Sequence, residues 1–185
     1  MNRKGNRTTT GFIPWEEFQR LMNNIQNEKL KLVAAISTYA GLRISDVLNL
    51  KWSQLSGESI VLIEKKTKKT RQIAIHETLR QILDSSKIQK TGYVIKSNGT
   101  NKPVSISYVN RKLKDIFDKL DIQYEGNISS HMFRKTMGRR FLDQSDYQDK
   151  ALILLMDLFG HTSLAVTKRY LGIRQEEINQ VYLAL

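Results

Sequence analysis

The chain has 185 residues, and its 30 lysines and arginines exceed its 18 aspartates and glutamates, giving a formal net charge of +12. Because it has no cysteine, disulfides, cysteine-ligated metal sites and thiol nucleophiles are excluded. The basic excess favours a polyanionic partner, most often nucleic acid, although a basic solvated surface gives the same composition. The length predicts one domain, and the absence of a long apolar run predicts a soluble protein of the cytoplasm.

The first part of the chain predicts a short linker followed by helices. Residues 1–11 have no apolar periodicity and include three basic side chains, so we expect a disordered linker remnant there. Pro14 suits the first turn of a helix, and the spacing after it predicts one apolar face, made of Phe18, Leu21, Met22 and Ile25. Residues 30–40 are apolar nearly all round, which predicts a buried helix ended by Gly41. A short helix is expected from Ser45.

The middle of the chain predicts a small sheet. Residues 59–64 and 72–75 are rich in β-branched side chains and flank the basic stretch 65–71, which predicts a β-hairpin with a cationic tip. Residues 93–95 are predicted as a short third strand. Further helices are expected around Leu79, Ile82 and Leu83 and over 107–120, 130–142, 149–159 and 164–170. The expected fold class is therefore mainly α with a small antiparallel β-sheet.

The first candidates for chemistry are two arginines and a histidine. Arg43 follows the glycine that ends the buried helix, in AGLRISD, and its planar fork of donors matches two phosphate oxygens. His131 and Arg134 lie three residues apart, so a helix presents both on one face. Each feature alone also fits an ordinary role, since arginines often form surface ion pairs and H-x-x-R arises readily by chance.

A second group of candidates lies near the end of the chain. Gly160 and His161 follow an apolar helix, and Tyr170 comes nine residues after His161. A phenolic oxygen can attack phosphorus when nearby groups stabilise the developing charge. Because most tyrosines are core or interface residues and this chain has seven, Tyr170 gains meaning only from the order of all the motifs.

That order resembles the catalytic domain of tyrosine recombinases, the phage integrase family. The resemblance runs over nearly the whole chain from residue 12 and rests on A-G-L-R-I-S-D, a hairpin-tip lysine, H-x-x-R, G-H and the later tyrosine. It implies the DNA-breaking and rejoining fold for residues 12–185. Family members usually carry an amino-terminal DNA-binding domain as well, so we expect an isolated catalytic domain or a minimal version with weaker DNA affinity.

The resemblance also implies a role for each matched position. Arg43 and Arg134 would clamp the scissile phosphate. His131 and His161 would contact that phosphate and assist proton transfer, and Tyr170 would be the nucleophile. The two arginines and the two histidines would together stabilise the charge that develops as Tyr170 attacks the phosphorus.

The resemblance also implies that a lysine in the hairpin tip is the general acid. Lys66 would protonate the leaving 5′ oxygen, and Lys65 and Lys68 remain alternatives because the tip departs from the family's usual G-K-G-x-K-x-R. Asp46 matches an acidic family position and is interpreted as a helix-start or arginine-orienting carboxylate. Further DNA contacts are expected from Lys65, Lys68, Lys69, Arg71, Arg111 and Lys112.

The implied activity is site-specific recombination through a 3′-phosphotyrosyl intermediate, as in mobile genetic elements, without metal, ATP or other cofactor. The implied partners are double-stranded DNA and further copies of the chain, in a tetramer joined through an apolar carboxy-terminal stripe of Ile178, Val181, Tyr182 and Leu185. The same resemblance implies a bacterial or phage-encoded protein of the nucleoid. Two alternatives remain, a type IB topoisomerase-like relaxing enzyme and a catalytically silent DNA-binding module in which Tyr170 only packs.

Overall fold

The computed structural model describes residues 11–63, 70–173 and 183. Its helices are α1 (Trp15–Asn24), α2 (Glu28–Tyr39), α3 (Ile44–Asn49), α4 (Glu77–Ser85), α5 (Ile106–Leu120), α6 (Met132–Asp143), α7 (Gln148–Phe159) and α8 (Leu164–Leu171). A short 3-10 turn, Trp52–Gln54, precedes a hairpin of β1 (Ser59–Ile63) and β2 (Thr70–Ala74). The predicted fold class, mainly helical with one small antiparallel sheet, is confirmed.

Helix α2 forms the centre of the main hydrophobic core. Its sequence is apolar nearly all round, and helices α1, α3, α4, α5 and α6 all contact it. The side chain of Asn27 caps its start by accepting a hydrogen bond from the Leu30 N–H. Gly41 follows its end with a φ of +60°. The predicted buried helix with a terminating glycine is therefore confirmed, although it begins at Glu28.

The amphipathic helices α1, α4 and α5 cover this core with the faces that the sequence predicts. Each large apolar side chain removed from water contributes roughly 1.5–3 kcal/mol to stability, so these three faces hold the helices in place. The buried residues of the three faces are Phe18, Leu21, Met22, Leu79, Leu83, Val109, Leu113 and Phe117.

Residues 93–95 do not form the predicted third strand. Tyr93 pairs with Lys51 in an isolated bridge, while Lys96 pairs with Pro103, so the segment changes partner before a ladder can form. Gly92 begins this change of direction with a φ of +65°. The β-branched composition here reflects burial rather than pairing. Within the described residues the sheet therefore has two strands, β1 and β2.

A second hydrophobic cluster joins α6, α7 and α8. The three helices approach closely at Gly138, where a Cβ would lie 2.6 Å from Leu171 Cδ2 and 3.0 Å from Phe159 Cζ. Helix α7 ends at Phe159, and the following Gly160, whose φ of 62° is left-handed, turns the chain toward α8. This cluster holds α8, which carries Tyr170, against α6 and α7.

The remaining predictions concern the edges of the described part. Gly11, the last residue of the expected linker, donates its N–H to the Asn127 carbonyl oxygen at 3.2 Å. The rest of that linker, the tip 64–69 and the stripe of Ile178, Val181, Tyr182 and Leu185 lie outside the described residues. Among those described, no single helix is long and apolar enough to cross a membrane, and α7 and α8 reach that threshold only together, across a 91° bend.

Candidate active site

Arg43 lies where α2 ends and α3 begins. Gly41 has a left-handed φ of +60°, which residues with a Cβ rarely adopt, so the turn before Arg43 favours glycine. Arg43 is the N-cap residue of α3, and its Nη2 donates to the Phe159 carbonyl oxygen at 2.7 Å. The guanidinium is thereby tied to the end of α7, just before Gly160 and His161.

His131 and Arg134 lie at the start of α6 and differ in their exposure to solvent. His131 is the exposed N-cap residue, whereas Arg134 is only 2% exposed. The Cζ of Arg134 lies 4.5 Å from the ring centroid of Phe159. Its Nη1 and Nη2 have no hydrogen-bond partner among the described residues. Because unpaired buried donors are costly, these nitrogens are a ready binding site for an anionic group.

Arg134 keeps its charge although it is buried. Burial is the main cause that lowers its pKa to about 10, with Arg43 and Arg71 acting in the same direction and Tyr170 and Asp46 against it. A pKa of about 10 leaves the guanidinium protonated at neutral pH. Asp46 of α3 and Arg71 of β2 therefore lie near enough for their charges to act on Arg134. Asp46, expected as a helix-start or arginine-orienting carboxylate, lies in the first turn of α3, and its charge makes a small contribution that raises the pKa of Arg134.

Three aromatic rings bring His161 and Tyr170 together. The Phe159 ring centroid lies 5.3 Å from that of His161 and 5.1 Å from that of Tyr170. The rings of His161 and Tyr170 meet edge to face at 5.1 Å and 68°. The interval of nine residues in the sequence therefore corresponds to direct packing, made by the turn at Gly160 and the first turns of α8.

The hydroxyl group of Tyr170 is buried and has no hydrogen-bond partner among the described residues. Burial raises the pKa of this phenol, while Arg134 and Arg43 act to lower it. The Arg134 guanidinium is near enough to influence the phenol, but no hydrogen bond of ordinary geometry joins them. The phenol is therefore protonated at neutral pH, and as a nucleophile it would need a proton acceptor.

Both histidines of the cluster favour their neutral form. Although His131 is exposed as a residue, partial burial of its ring lowers its pKa below the ordinary value, and the charges of Arg134 and Arg43 lower it further. The pKa of His161 is lowered by the same causes in the same order. The two arginines thus influence both imidazoles and the phenol. Arg43, His131, Arg134, His161 and Tyr170 form one electrostatic cluster, which we name the arginine–tyrosine cluster.

Three further residues of this region escaped the sequence analysis. In the sequence Phe159 is one more apolar residue of α7. In the structure its ring contacts the rings of His161 and Tyr170 and the guanidinium of Arg134, and its carbonyl oxygen accepts from Arg43. Thr167, which is fully buried, lies 3.0 Å from His161 through its Oγ1. Lys135 is 4% exposed, and its Nζ lies 5.7 Å from the Tyr170 ring centroid. Burial is the main cause that lowers the pKa of Lys135 to about 8.

Two of the predicted residues do not join this cluster, and four others lie outside the described structure. Lys65, Lys66, Lys68 and Lys69 lie outside the described residues. Arg111 lies 6.0 Å from the Tyr108 ring, and Lys112 forms a 3.0 Å ion pair with Asp115, so both contacts stay within α5. In the ranges that the structure describes, no group of three histidine and carboxylate side chains has the arrangement of a metal site.

Known proteins are similar to this chain in sequence and in fold. The phage integrase family matches residues 12–177. YoeC of Bacillus subtilis, named as a probable integrase/recombinase, is 30% identical over 167 residues, which are 89% of this chain and 87% of YoeC. The tyrosine recombinase XerH of Campylobacter jejuni is 27% identical over 174 residues, 86% of this chain and 47% of XerH.

A solved structure agrees on the fold. XerH site-specific recombinase, bound to a palindromic difH substrate in a post-cleavage complex, matches with a TM-score of 0.71 at 19% identity. The match covers 98% of this chain and 54% of that chain. This chain therefore spans most of YoeC but about half the length of XerH.

Proposed function

The chain belongs to the phage integrase family and is a tyrosine recombinase catalytic domain, and on this basis we propose that Tyr170 cleaves and rejoins DNA strands. The Tyr170 oxygen forms a bond to phosphorus, the bond from phosphorus to the 5′ oxygen breaks, and the 3′ end stays attached to the enzyme. A 5′ hydroxyl from another strand reverses these changes. The single observation that carries the proposal is that the terminal nitrogens of Arg134 and the hydroxyl of Tyr170 are both buried and have no hydrogen-bond partner among the described residues.

The electrostatics of the arginine–tyrosine cluster support phosphoryl transfer. Arg43 and the buried Arg134 supply positive charge where the phosphate gains charge during attack. Because Arg134 is already desolvated and held against Phe159, it needs little reorganisation as that charge develops. The phosphodiester is proposed to lie between Arg134 and Tyr170, with its non-bridging oxygens on the arginine nitrogens.

Proton transfer is proposed to use the histidines and the hairpin tip. The phenol must lose its proton, and the lowered pKa values of His131 and His161 keep both imidazoles available as acceptors at neutral pH. The leaving 5′ oxygen must gain a proton, which we assign to Lys66, with Lys65 and Lys68 as alternatives. Arg71 supports the assignment of the general acid to the tip, because it lies on β2, the strand that follows the tip, and its charge acts on Arg134.

Double-stranded DNA is the proposed partner. The structure of XerH with its difH substrate shows a recombinase of the same fold on DNA, and this chain has a formal net charge of +12. Arg111 and Lys112 are proposed phosphate contacts, as are Lys65, Lys68, Lys69 and Arg71. Since Lys112 is paired with Asp115, we expect Arg111 to contribute more.

Self-association on DNA, up to a tetramer, is proposed to use the carboxy-terminal stripe of Ile178, Val181, Tyr182 and Leu185. An apolar stripe on a short terminal segment suits docking against a neighbouring copy. Truncation after Gly172 should abolish assembly on paired sites and leave binding to a single site largely intact. Assembly that survives truncation would exclude this segment as the contact.

The central proposal is tested by trapping the covalent adduct. The protein is incubated with a pool of nicked duplexes of randomised sequence, and DNA that stays attached after denaturation is recovered and its peptide identified. Wild type should yield an adduct on Tyr170, and Tyr170→Phe should bind the recovered duplexes but yield none. Tyr147→Phe is the control, because Tyr147 is 74% exposed. Attachment to another residue would overturn the assignment, and a wild type without adduct would favour a silent DNA-binding module.

A further inference from the structure

We propose that Thr167 is a positioning residue that fixes which nitrogen of the His161 imidazole carries the proton. The inference rests on the proposed function, because it describes how His161 is prepared for phosphoryl transfer. Thr167 lies on α8, three residues before Tyr170, and is fully buried. Its Oγ1 lies 3.0 Å from His161 Nδ1. The ring is thus held from the side of α8 that also carries the nucleophile.

The direction of this hydrogen bond follows from a second contact of the same hydroxyl. Thr167 Oγ1 lies 3.3 Å from the Ser163 carbonyl oxygen, to which the hydroxyl donates. A hydroxyl has one hydrogen, so with that hydrogen on Ser163 the oxygen accepts from the imidazole. Nδ1 of His161 must then carry the proton. The reverse arrangement, in which Thr167 donates to Nδ1, keeps one of these two hydrogen bonds instead of both.

The consequence concerns the other nitrogen of the ring. With the proton on Nδ1, Nε2 of the neutral imidazole has a free lone pair. His161 packs edge to face against Tyr170, with ring centroids 5.1 Å apart, and Nε2 is the nitrogen that Thr167 leaves unengaged. Nε2 can accept a proton during attack, and the resulting imidazolium can donate to a phosphate oxygen while Thr167 still holds Nδ1. Thr167 therefore sets both the tautomer and the orientation of the ring.

The tautomer is measured directly by long-range nitrogen–proton NMR on the full chain. The chain has three histidines, so a His161→Asn variant assigns the signal. At a pH well above the ordinary histidine value of about 6.5, wild type should show a protonated Nδ1 and an unprotonated Nε2. Thr167→Val, which removes the hydroxyl at similar volume, should move the proton toward Nε2. Thr167→Ser should keep the wild-type pattern.

The matched control is Thr162→Val, the same change at an exposed neighbouring position, which should leave the His161 signals unchanged. A wild-type spectrum with the proton on Nε2 would overturn the proposal, and so would a Thr167→Val spectrum identical to wild type. If Thr167→Val does not fold, the wild-type and Thr167→Ser spectra still decide the tautomer.

Adduct formation on nicked duplexes gives a second readout. Thr167→Val should slow adduct formation about tenfold, as expected for one lost orienting hydrogen bond, while Thr167→Ser should restore it. Equal losses in both variants would point to packing and contradict a positioning role. A wild type that shows the expected tautomer but forms no adduct would refute the proposed function and leave the tautomer assignment standing.

Discussion

Nη2 of Arg43 donates to the carbonyl oxygen of Phe159 at 2.7 Å, which joins the start of α3 to the end of α7. The positive guanidinium lies against the carbonyl end of a helix, where the helix dipole favours a cation. Since Gly160 and His161 follow immediately, this bond sets the position of Arg43 relative to the segment that carries His161. Arg43 is therefore proposed to have two tasks, holding the helix end and binding phosphate.

Replacing Arg43 with lysine separates these tasks. Arg43→Lys keeps the charge but loses the planar fork, so we expect adduct formation to fall by roughly 100-fold, at a stability cost of about 1 kcal/mol. Single-turnover adduct formation and thermal unfolding measure the two effects. Arg80→Lys is the matched control, because Arg80 Nη1 also donates to a carbonyl oxygen at 2.7 Å, that of Leu55. This control should lose comparable stability and keep its activity; an Arg43→Lys protein with wild-type activity would exclude phosphate binding by the fork.

The close packing of α6 against α7 and α8 predicts that a larger residue at Gly138 lowers both stability and adduct formation. A Cβ at Gly138 would press on Leu171 and Phe159, so Gly138→Ala should lower the free energy of unfolding by about 1–3 kcal/mol and displace Tyr170. Chemical denaturation and adduct formation check both consequences. At Gly57 no described residue beyond its chain neighbours lies within 4 Å of an added Cβ, so Gly57→Ala should change neither the stability nor adduct formation by much. Equal stability of the two variants would mean that α6 and α8 can separate without cost.

Much of this architecture could be predicted from the sequence, and the failures have physical causes. Helical periodicity located the faces of α1, α4 and α5, because apolar burial alone sets that spacing. The prediction of a third strand was wrong because buried β-branched residues occur in irregular segments as well as in strands. Order along the chain indicated which five residues to examine. It could not show that the Arg134 side chain is buried and has no hydrogen-bond partner in the part of the chain that the structure describes, since that depends on how α6, α7 and α8 pack.

Lys135 illustrates a property that no sequence pattern indicated, and it predicts a pH-dependent stability. Burial lowers its pKa to about 8 in the folded protein, against about 10.4 for an unfolded lysine. At a pH between these two pKa values the unfolded chain binds more protons than the folded protein. The free energy of unfolding should therefore rise with pH, by on the order of 1–3 kcal/mol. Denaturation from pH 7 to about pH 10 measures this slope.

The variant Lys135→Met should remove that slope while keeping the length of the side chain. Lys119→Met is the comparison, since Lys119 is exposed in the last turn of α5 and should leave the slope unchanged. A slope that persists in Lys135→Met would assign it to another group.

The charges of the arginine–tyrosine cluster predict coupled histidine titrations. Burial and then Arg134 lower the pKa of both His131 and His161, so each imidazole should gain its proton only below the ordinary value of about 6.5. Arg134→Gln removes a positive charge and should raise both pKa values, whereas Arg134→Lys keeps the charge and should change them less. NMR titration of the three histidines measures this. Unchanged His161 titration in Arg134→Gln would place the guanidinium too far away to act on it.

The last prediction identifies the general acid among the tip lysines. A 5′ oxygen leaves poorly unless it is protonated, whereas sulfur in its place leaves without a proton. Lys66→Ala should therefore form little adduct with an ordinary duplex and regain adduct formation with a 5′-thio duplex. Lys65→Ala and Lys68→Ala are the matched controls, since they remove equal charge from the same tip and should lose little on either substrate. Rescue of Lys65→Ala or Lys68→Ala instead would assign the role to that lysine, and failure of sulfur to rescue any of the three would show that the proton comes from elsewhere.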